Sequence, residues 1–363
     1  METVQKAPKK RLLSLDVLRG LTVAGMILVN NGGGKEIFSP LQHSAWNGVS
    51  LADLVFPLFL FMVGISTYIS LRKFKFQWSV PLAKKILKRT CLILIIGWGI
   101  YWFEFCCKGN FLPFDQLRIP GVLHRIAISY CIVAVLAVSI NHKWFPWLAG
   151  TLLVVYAFIL WLGNGYAMNS TNILSIVDRY VFGEAHLYHK SPIDPEGLLG
   201  VIPSVAHTMI GFCFGKIMMS EKNLRDKMLQ LFQTGFIVMM LGLLFNYGLP
   251  MNKRIWSPTF VLFTCGFAGC LQSWFIDVID EKGHKRWTPF FESFGVNPLF
   301  LYVFSELLAI VFDVYGIKKI LYNTINTVIT NGYFASLVYA VLFVVLCWIV
   351  GYPLYKKKIY IKI

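Results

Sequence analysis

The chain has 363 residues, of which 56% are hydrophobic and only 14% charged, with a formal net charge of +16. A soluble domain carries about 25% charged residues, so there is too little charge to coat a globule of this size, and a soluble enzyme, a coiled coil, collagen and a disordered chain are all excluded. The hydrophobic content suits about ten spanning helices of about 20 residues each, and the surplus Lys and Arg belong to loops rather than to a nucleic-acid surface, so no nucleic-acid partner is expected.

Apolar stretches of spanning length fall at 12–31, 51–71, 86–106, 119–140, 144–163, 198–219, 231–249, 257–278, 293–312 and 333–354. They predict an all-α, polytopic integral membrane bundle of about ten transmembrane helices, one domain over 1–363, lying in a lipid bilayer. An even number of spans returns the C-terminus to the side of the N-terminus. Twenty-three Lys and Arg fall on the predicted inner side, beginning with Lys6, Lys9, Lys10 and Arg11, against nine on the outer side, which makes both termini cytoplasmic. The longest connection, about 164–197, contains Pro192, Pro195 and Gly197 and is too short for a second domain. It is expected to cap the outer face. The eight cysteines sit mostly in apolar runs without a C-x-x-C pair, so neither a metal nor a redox centre is expected.

The first run carries Asp16 and Arg19 and ends without a small-residue cleavage site, so it stays as an anchor rather than leaving as a signal peptide. Asp16 and Arg19 are three apart and share a helix face. A charge deep in a bilayer costs on the order of 3 kcal/mol, so the two pair, either as a structural ion pair or as a holder for an anionic ligand near the inner face. The run ends in Asn30-Asn31-Gly32-Gly33-Gly34, where three glycines stop the helix and allow close backbone approach to a ligand. A phosphate-binding P-loop is excluded, since Val29 and Glu36 stand where Gly and Ser or Thr would be needed.

His43 follows at the outer mouth of the bundle. An imidazole is the side chain suited to proton transfer near neutral pH, which makes this residue the best general-base candidate in the chain, against a merely structural loop histidine. Asn30, Asn47 and Asp53 lie at the same level, and Asp53 opens the second helix, where a carboxylate also suits the helix dipole. Polar residues recur inside later runs: His124 and Arg125, His207, Asn297 before Pro298, and Glu306 beside Ser305. Together they predict a polar cavity through the bundle, although each alone would serve to join helices. Asp194-Pro195-Glu196-Gly197 places two carboxylates over the outer mouth of that cavity, or forms a solvated turn.

Several of these strings, taken together, resemble one family. They are Leu15-Asp16-Val17-Leu18-Arg19-Gly20, Val29-Asn30, His43-Ser44-Ala45-Trp46-Asn47-Gly48 running on to Asp53 and Pro57, Arg118 to Ile126, Asp194 to Leu199, and Gly295-Val296-Asn297-Pro298-Leu299. The chain is similar over most of its length to the transmembrane acetyltransferases typified by heparan-alpha-glucosaminide N-acetyltransferase. The resemblance implies an integral membrane enzyme that moves an acetyl group from cytoplasmic acetyl-CoA, as co-substrate, to a sugar or amino sugar on the far side. It puts the family's histidine on His43 and its asparagine on Asn30, and implies a homodimer.

On this reading His43 is general base or transient acetyl carrier, Asn30 holds the thioester carbonyl or the imidazole tautomer, and Asp53 orients His43. Asp16, Arg19, His124, Arg125 and Asn297 are expected to hold the donor, and Asn47, Asp194, Glu196 and Glu306 the acceptor. Relative to the lysosomal enzyme the chain lacks an N-terminal lumenal region, which points to the inner membrane of a bacterium. His124 and Ser305 replace a family glutamine and histidine and bear on acceptor choice. A polar cavity through ten helices would equally serve a transporter or flippase for a sugar-bearing lipid. A scaffold without small-molecule activity is the third reading.

Overall fold

A computed structural model describes residues 12–189 and 191–361. Lys6, Lys9, Lys10, Arg11 and Lys190, counted above among the loop charges, lie outside the described residues. Thirteen α-helices make up the described chain: α1 (Leu13–Asn30), α2 (Leu51–Arg72), α3 (Val80–Cys107), α4 (Val122–Ser139), α5 (Phe145–Leu162), α6 (Ile173–Phe182), α7 (Val201–Met218), α8 (Leu224–Phe245), α9 (Pro258–Phe275), α10 (Thr288–Val296), α11 (Pro298–Val314), α12 (Ile317–Val328) and α13 (Gly332–Lys356). Among the described residues there is no strand, only a single parallel bridge between Gly48 and Asn252.

Nine described helices are long and apolar enough to cross a membrane, and α10 with α11 forms a tenth, broken span. The chain is therefore a multi-pass membrane protein. Each of the ten apolar runs meets its own span. The ninth differs from the continuous helix expected over 293–312: α10 and α11 meet at an 86° bend at Asn297. Pro298 disfavours helical backbone at the residue before it, and Asn297 leaves the helix with φ −126° and ψ 57°. The helices α6 and α12 are amphipathic and connect spans; periodicity at spanning length did not reveal them.

The inner helices are α1, α2, α7 and α9, with Leu18, Ile27, Leu60, Phe61, Phe212 and Phe260 fully buried. Without a hydrophobic drive between helices in lipid, close packing of small residues holds such elements together. Gly64 of α2 and Gly211 of α7 meet the opposing backbones, since an added Cβ would lie 2.2 Å from the Thr208 carbonyl oxygen and 2.3 Å from that of Phe61. His207 of α7 joins the same pair, with Nε2 donating to the Pro57 carbonyl at 2.9 Å. Around this core, α3, α5 and α8 turn apolar side chains outward, among them Leu87, Ile95, Phe158, Ile237 and Leu244.

Antiparallel succession of the spans gives the bundle two ends. Arg19, Ser66 and Arg72 mark one; His43, Arg118, Glu196 and Lys253 mark the other.

Candidate active site

At the His43 end, the chain leaves α1 at Asn30 and crosses residues 31–50 before entering α2. The glycine tract ends the helix as expected, but what approaches it is protein: an added Cβ at Gly34 would lie 2.4 Å from Cζ of Tyr322, and one at Gly33 2.7 Å from the same ring. Gly34 N–H donates to Ser336 Oγ at 2.9 Å. Gly33 and Gly34 therefore seat the loop on α12 and α13, while Gly32 packs against Ile37 of the same loop.

Ser50 and Asp53 form a capping box at the start of α2, the arrangement that satisfies the first backbone donors of a helix. Asp53 Oδ2 accepts from Ser50 N–H at 3.1 Å, Ser50 Oγ–H at 3.0 Å and Ser44 N–H at 3.0 Å. Its other oxygen, Oδ1, lies 2.9 Å from His43 Nδ1. An ionised carboxylate only accepts, so Nδ1 carries the proton and Nε2 keeps its lone pair. Asp53 is 1% exposed and the His43 side chain 43%, so a buried anion holds a ring that opens on solvent and cavity.

A second loop completes the cluster. Gly48 N–H donates to the Met251 carbonyl at 2.8 Å with Gly48 at φ +107°, a conformation that favours glycine. Asn252 Nδ2 donates to Asn47 Oδ1 at 3.1 Å. This pairing sets the next residue, Lys253, beside the dyad: Nζ is 3.4 Å from Asp53 Oδ1 and 3.0 Å from His43 Nδ1. Burial lowers the Lys253 ammonium from its ordinary range, partly offset by Asp53 and Glu196.

These groups open on a cavity of about 270 Å³ lined also by Asn30, Arg118, Tyr188, Glu196, Arg254 and Tyr302. Arg118 Nη2 donates to Asp194 Oδ1 at 2.6 Å and to Glu196 Oε2 at 2.7 Å, and Nη1 to the Tyr101 hydroxyl at 3.2 Å. Burial works against the Arg118 charge, but Glu196, Tyr101 and Asp194 outweigh it and hold the guanidinium above its ordinary range. The half-buried Glu306 carboxyl lies beside Asn30 and Tyr302. An amide NH₂ has two hydrogens. Asn30 lines the cavity, so one of them can reach a carbonyl oxygen there.

At the opposite end a larger cavity, about 890 Å³, is lined by Asp16, Arg19, Ser66, Arg72, Lys73 and Lys227 among others. Arg19 Nη1 donates to Asp16 Oδ1 at 3.4 Å and to the Gly295 carbonyl at 3.3 Å, and Nη2 donates to Ser66 Oγ at 3.3 Å. This basic cavity suits a phosphate-bearing ligand.

The expected catalytic residues His43, Asn30 and Asp53 thus line one cavity together with Glu196, and Glu306 lies beside Asn30. The five residues expected to hold a donor are scattered. Asp16 and Arg19 line the far cavity, whereas His124 and Arg125 lie in the first turn of α4 at the His43 end, because the fourth span runs opposite to the third. His124 packs between Trp98 and Tyr101. Arg125 is buried with its guanidinium 5.0 Å above the Trp256 ring. Asn297 is engaged by the chain's own C-terminal segment, donating to the Ile359 carbonyl and accepting from Ile361 N–H, both at 2.8 Å. Asn47 holds the second loop, and Asp194 serves Arg118 rather than the cavity itself.

Lys253, Arg118 and Tyr302 belong to the site without having been singled out from the sequence. Lys253 had counted only among the outer-side charges, and Arg118 besides that only as the first residue of one string of the resemblance, with no role of its own. The one usable signal was position: each falls beside a polar string facing the same end. Among the described residues no three His, Cys, Asp or Glu side chains converge as metal ligands.

Residues 11–250 match the family described as heparan-alpha-glucosaminide N-acetyltransferase, catalytic. The chain is similar to the heparan-alpha-glucosaminide N-acetyltransferase of Mus musculus, with 29% identity over 419 residues that cover 99% of this chain and 61% of that protein. With the Homo sapiens protein of the same name the identity is 30% over 421 residues, covering 97% of this chain and 60% of the relative. The chain spans about three fifths of the length of these relatives.

Proposed function

Because the chain belongs to the heparan-alpha-glucosaminide N-acetyltransferase catalytic family, we propose that it is a membrane-embedded acetyltransferase moving the acetyl group of acetyl-CoA to a sugar or amino sugar. The observation that carries this reading is the His43–Asp53 pair at 2.9 Å on the wall of a cavity that Asn30 also lines. The Nε2 lone pair takes a proton from the acceptor amine or hydroxyl as its nitrogen or oxygen attacks the thioester carbonyl. A positioned base of this kind gives about 10² to 10⁴ in rate. An N–H of Asn30 stabilises the developing oxyanion.

The donor is placed with its phosphates in the Arg19 cavity, where Arg19, Arg72 and Lys73 supply cations. Eleven residues of α1 separate Arg19 from Asn30, about 16 Å at helical rise. A donor anchored at Arg19 must reach that far to present its carbonyl. The excess of Lys and Arg on loops at the Arg19 end makes that end cytoplasmic. His43 then faces the periplasm from the inner membrane of a bacterium, with the acceptor entering past Glu196. Asn47 and Asp194 act on the acceptor indirectly, through the loops they hold.

The test is acetyl transfer by purified, detergent-solubilised protein given labelled acetyl-CoA and a panel of amino sugars and hexoses, beside His43→Ala. Label on a sugar that disappears in the variant supports the reading. Protein that fails to bind acetyl-CoA, or a folded His43→Ala variant with full transfer, overturns it.

A further inference from the structure

In acetyl transfer a proton leaves the acceptor and one is needed at the departing thiolate; His43 takes the first, and an acid beside it can supply the second without the imidazolium having to face both groups. We propose that Lys253 is the general acid that protonates the sulfur of the leaving thiol. The inference rests on the acetyl-transfer reading and deepens it.

The geometry gives Lys253 that task. Its Nζ forms a nearly equilateral triangle with His43 Nδ1 and Asp53 Oδ1, at 3.0 Å and 3.4 Å against the 2.9 Å of the His43–Asp53 pair. It therefore sits well off the Nδ1–Oδ1 line and cannot be the partner that fixes the ring. An ammonium has three donors. Asp53 Oδ1 engages one and His43 Nε2, 3.4 Å away, faces a second, and Lys253 lines the same cavity as Asn30 and His43, so the third can point at a sulfur there. The other ionisable groups lining this cavity are Arg118 and Glu196, which are paired with each other, Arg254, Tyr188, whose ring lies under the Arg118 guanidinium, and Tyr302.

The step balances as follows. The acceptor nitrogen bonds to the carbonyl carbon and gives its proton to His43 Nε2. The carbon–sulfur bond breaks with its electron pair on sulfur, which takes a proton from Lys253 Nζ. Acetylated acceptor, free thiol, imidazolium and neutral lysine remain. Return of the Nε2 proton to the neutral lysine, whose Nζ lies 3.4 Å from Nε2, directly or through solvent, restores both groups. Two positive charges beside the single Asp53 carboxylate favour the ammonium's release of its proton once His43 has taken one. Burial lowers the ammonium in the same direction, towards the acidity of a thiol.

Lys253→Met and Lys253→Arg test this. Arginine keeps the charge but does not release a proton near neutral pH, so both variants are expected to lose about 10² in kcat/KM with acetyl-CoA. With S-phenyl thioacetate, whose aryl thiolate leaves without a proton, the deficit of both variants should shrink below about tenfold. His43→Ala should stay impaired with both donors. A Lys253→Arg variant as active as wild type with acetyl-CoA overturns the proposal, since charge alone would then suffice. Equal losses with the two donors overturn it as well, because a lysine that only positions the dyad would be missed by either. Wild-type protein that labels no saccharide from acetyl-CoA removes the acetyl-transfer reading itself.

Discussion

The carboxylate that caps helix α2, Asp53, is the carboxylate that holds His43: Oδ2 accepts the cap donors of Ser44 and Ser50 while Oδ1 lies 2.9 Å from Nδ1. Fold and chemistry share one side chain. Asp53→Asn should therefore have two separable effects. An amide nitrogen facing Nδ1 turns that atom into an acceptor and moves the ring proton to Nε2, where no base remains. Acetyl transfer is expected to fall by about 10² to 10⁴. Loss of the charged cap should cost about 1 kcal/mol of stability. Rate assays beside thermal unfolding separate the two, and a variant with unchanged transfer would remove Asp53 from the mechanism.

Glu306, which lies beside Asn30, is expected to act by orienting its carboxamide. Glu306→Leu should lower kcat as much as Asn30→Ala does, because each leaves the carboxamide unoriented. Glu306→Gln retains an acceptor oxygen and should keep kcat within about tenfold of wild type, one hydrogen bond being worth about 1 kcal/mol. Kinetics at saturating acetyl-CoA decide this, and identical losses in the Gln and Leu variants would mean that charge, not orientation, is what Glu306 supplies.

Arg19 lies at the other end, away from the reacting atoms. Arg19→Ala is expected to raise KM for acetyl-CoA by about tenfold or more, as the loss of a charge-assisted hydrogen bond does, and to leave kcat nearly unchanged. A fall in kcat at constant KM would place the donor phosphates elsewhere.

Asp178 on α6 carries a pH dependence of stability. Burial pushes its carboxyl up to about 6, against the opposing Leu198 N–H, which donates to Oδ1 at 2.8 Å. A folded-state value above the unfolded 3.8 means that the folded protein binds the proton more tightly. Stability contributed by the neutral form is present below about pH 4 and is lost as pH rises to about 6. At 1.36 kcal/mol per unit the loss is about 3 kcal/mol. Asp178→Asn is neutral throughout, so its melting temperature should gain on wild type across that window. Parallel curves from pH 4 to 7 would show that the carboxyl titrates normally.

Gly20 and Gly295 set how close α1 and α10 come. An added Cβ at Gly20 would lie 1.7 Å from the Phe291 carbonyl oxygen, and one at Gly295 2.0 Å from that of Asp16. Neither backbone yields cheaply, so Gly20→Ala and Gly295→Ala should each destabilise by about 1 to 3 kcal/mol. Since Gly20 adjoins Arg19, the donor KM should rise in parallel. A melting temperature equal to wild type in both variants would show that the helices separate without cost.

The ten spans could be read from the sequence because lipid demands long unbroken apolar runs, and that demand is local to each run. The Asn30, His43 and Asp53 cluster was equally legible, since all three lie within 24 residues at one end of two consecutive helices. Distance along the chain hid the rest. Lys253 reaches His43 only because Gly48 and Asn47 pair with Met251 and Asn252, and no pattern within either loop announces that pairing. Arg125 was grouped with Arg19 as a holder of the donor, but the direction of α4 puts it at the His43 end, over Trp256. The break at Asn297 was written in Pro298, but its 86° angle and the capture of Asn297 by the C-terminal segment depend on what packs around it. The sequence by itself determined which segments enter the membrane and which local groups are reactive. Only the tertiary structure decided which charges meet, because an ion pair depends on distances between segments that the chain brings together last.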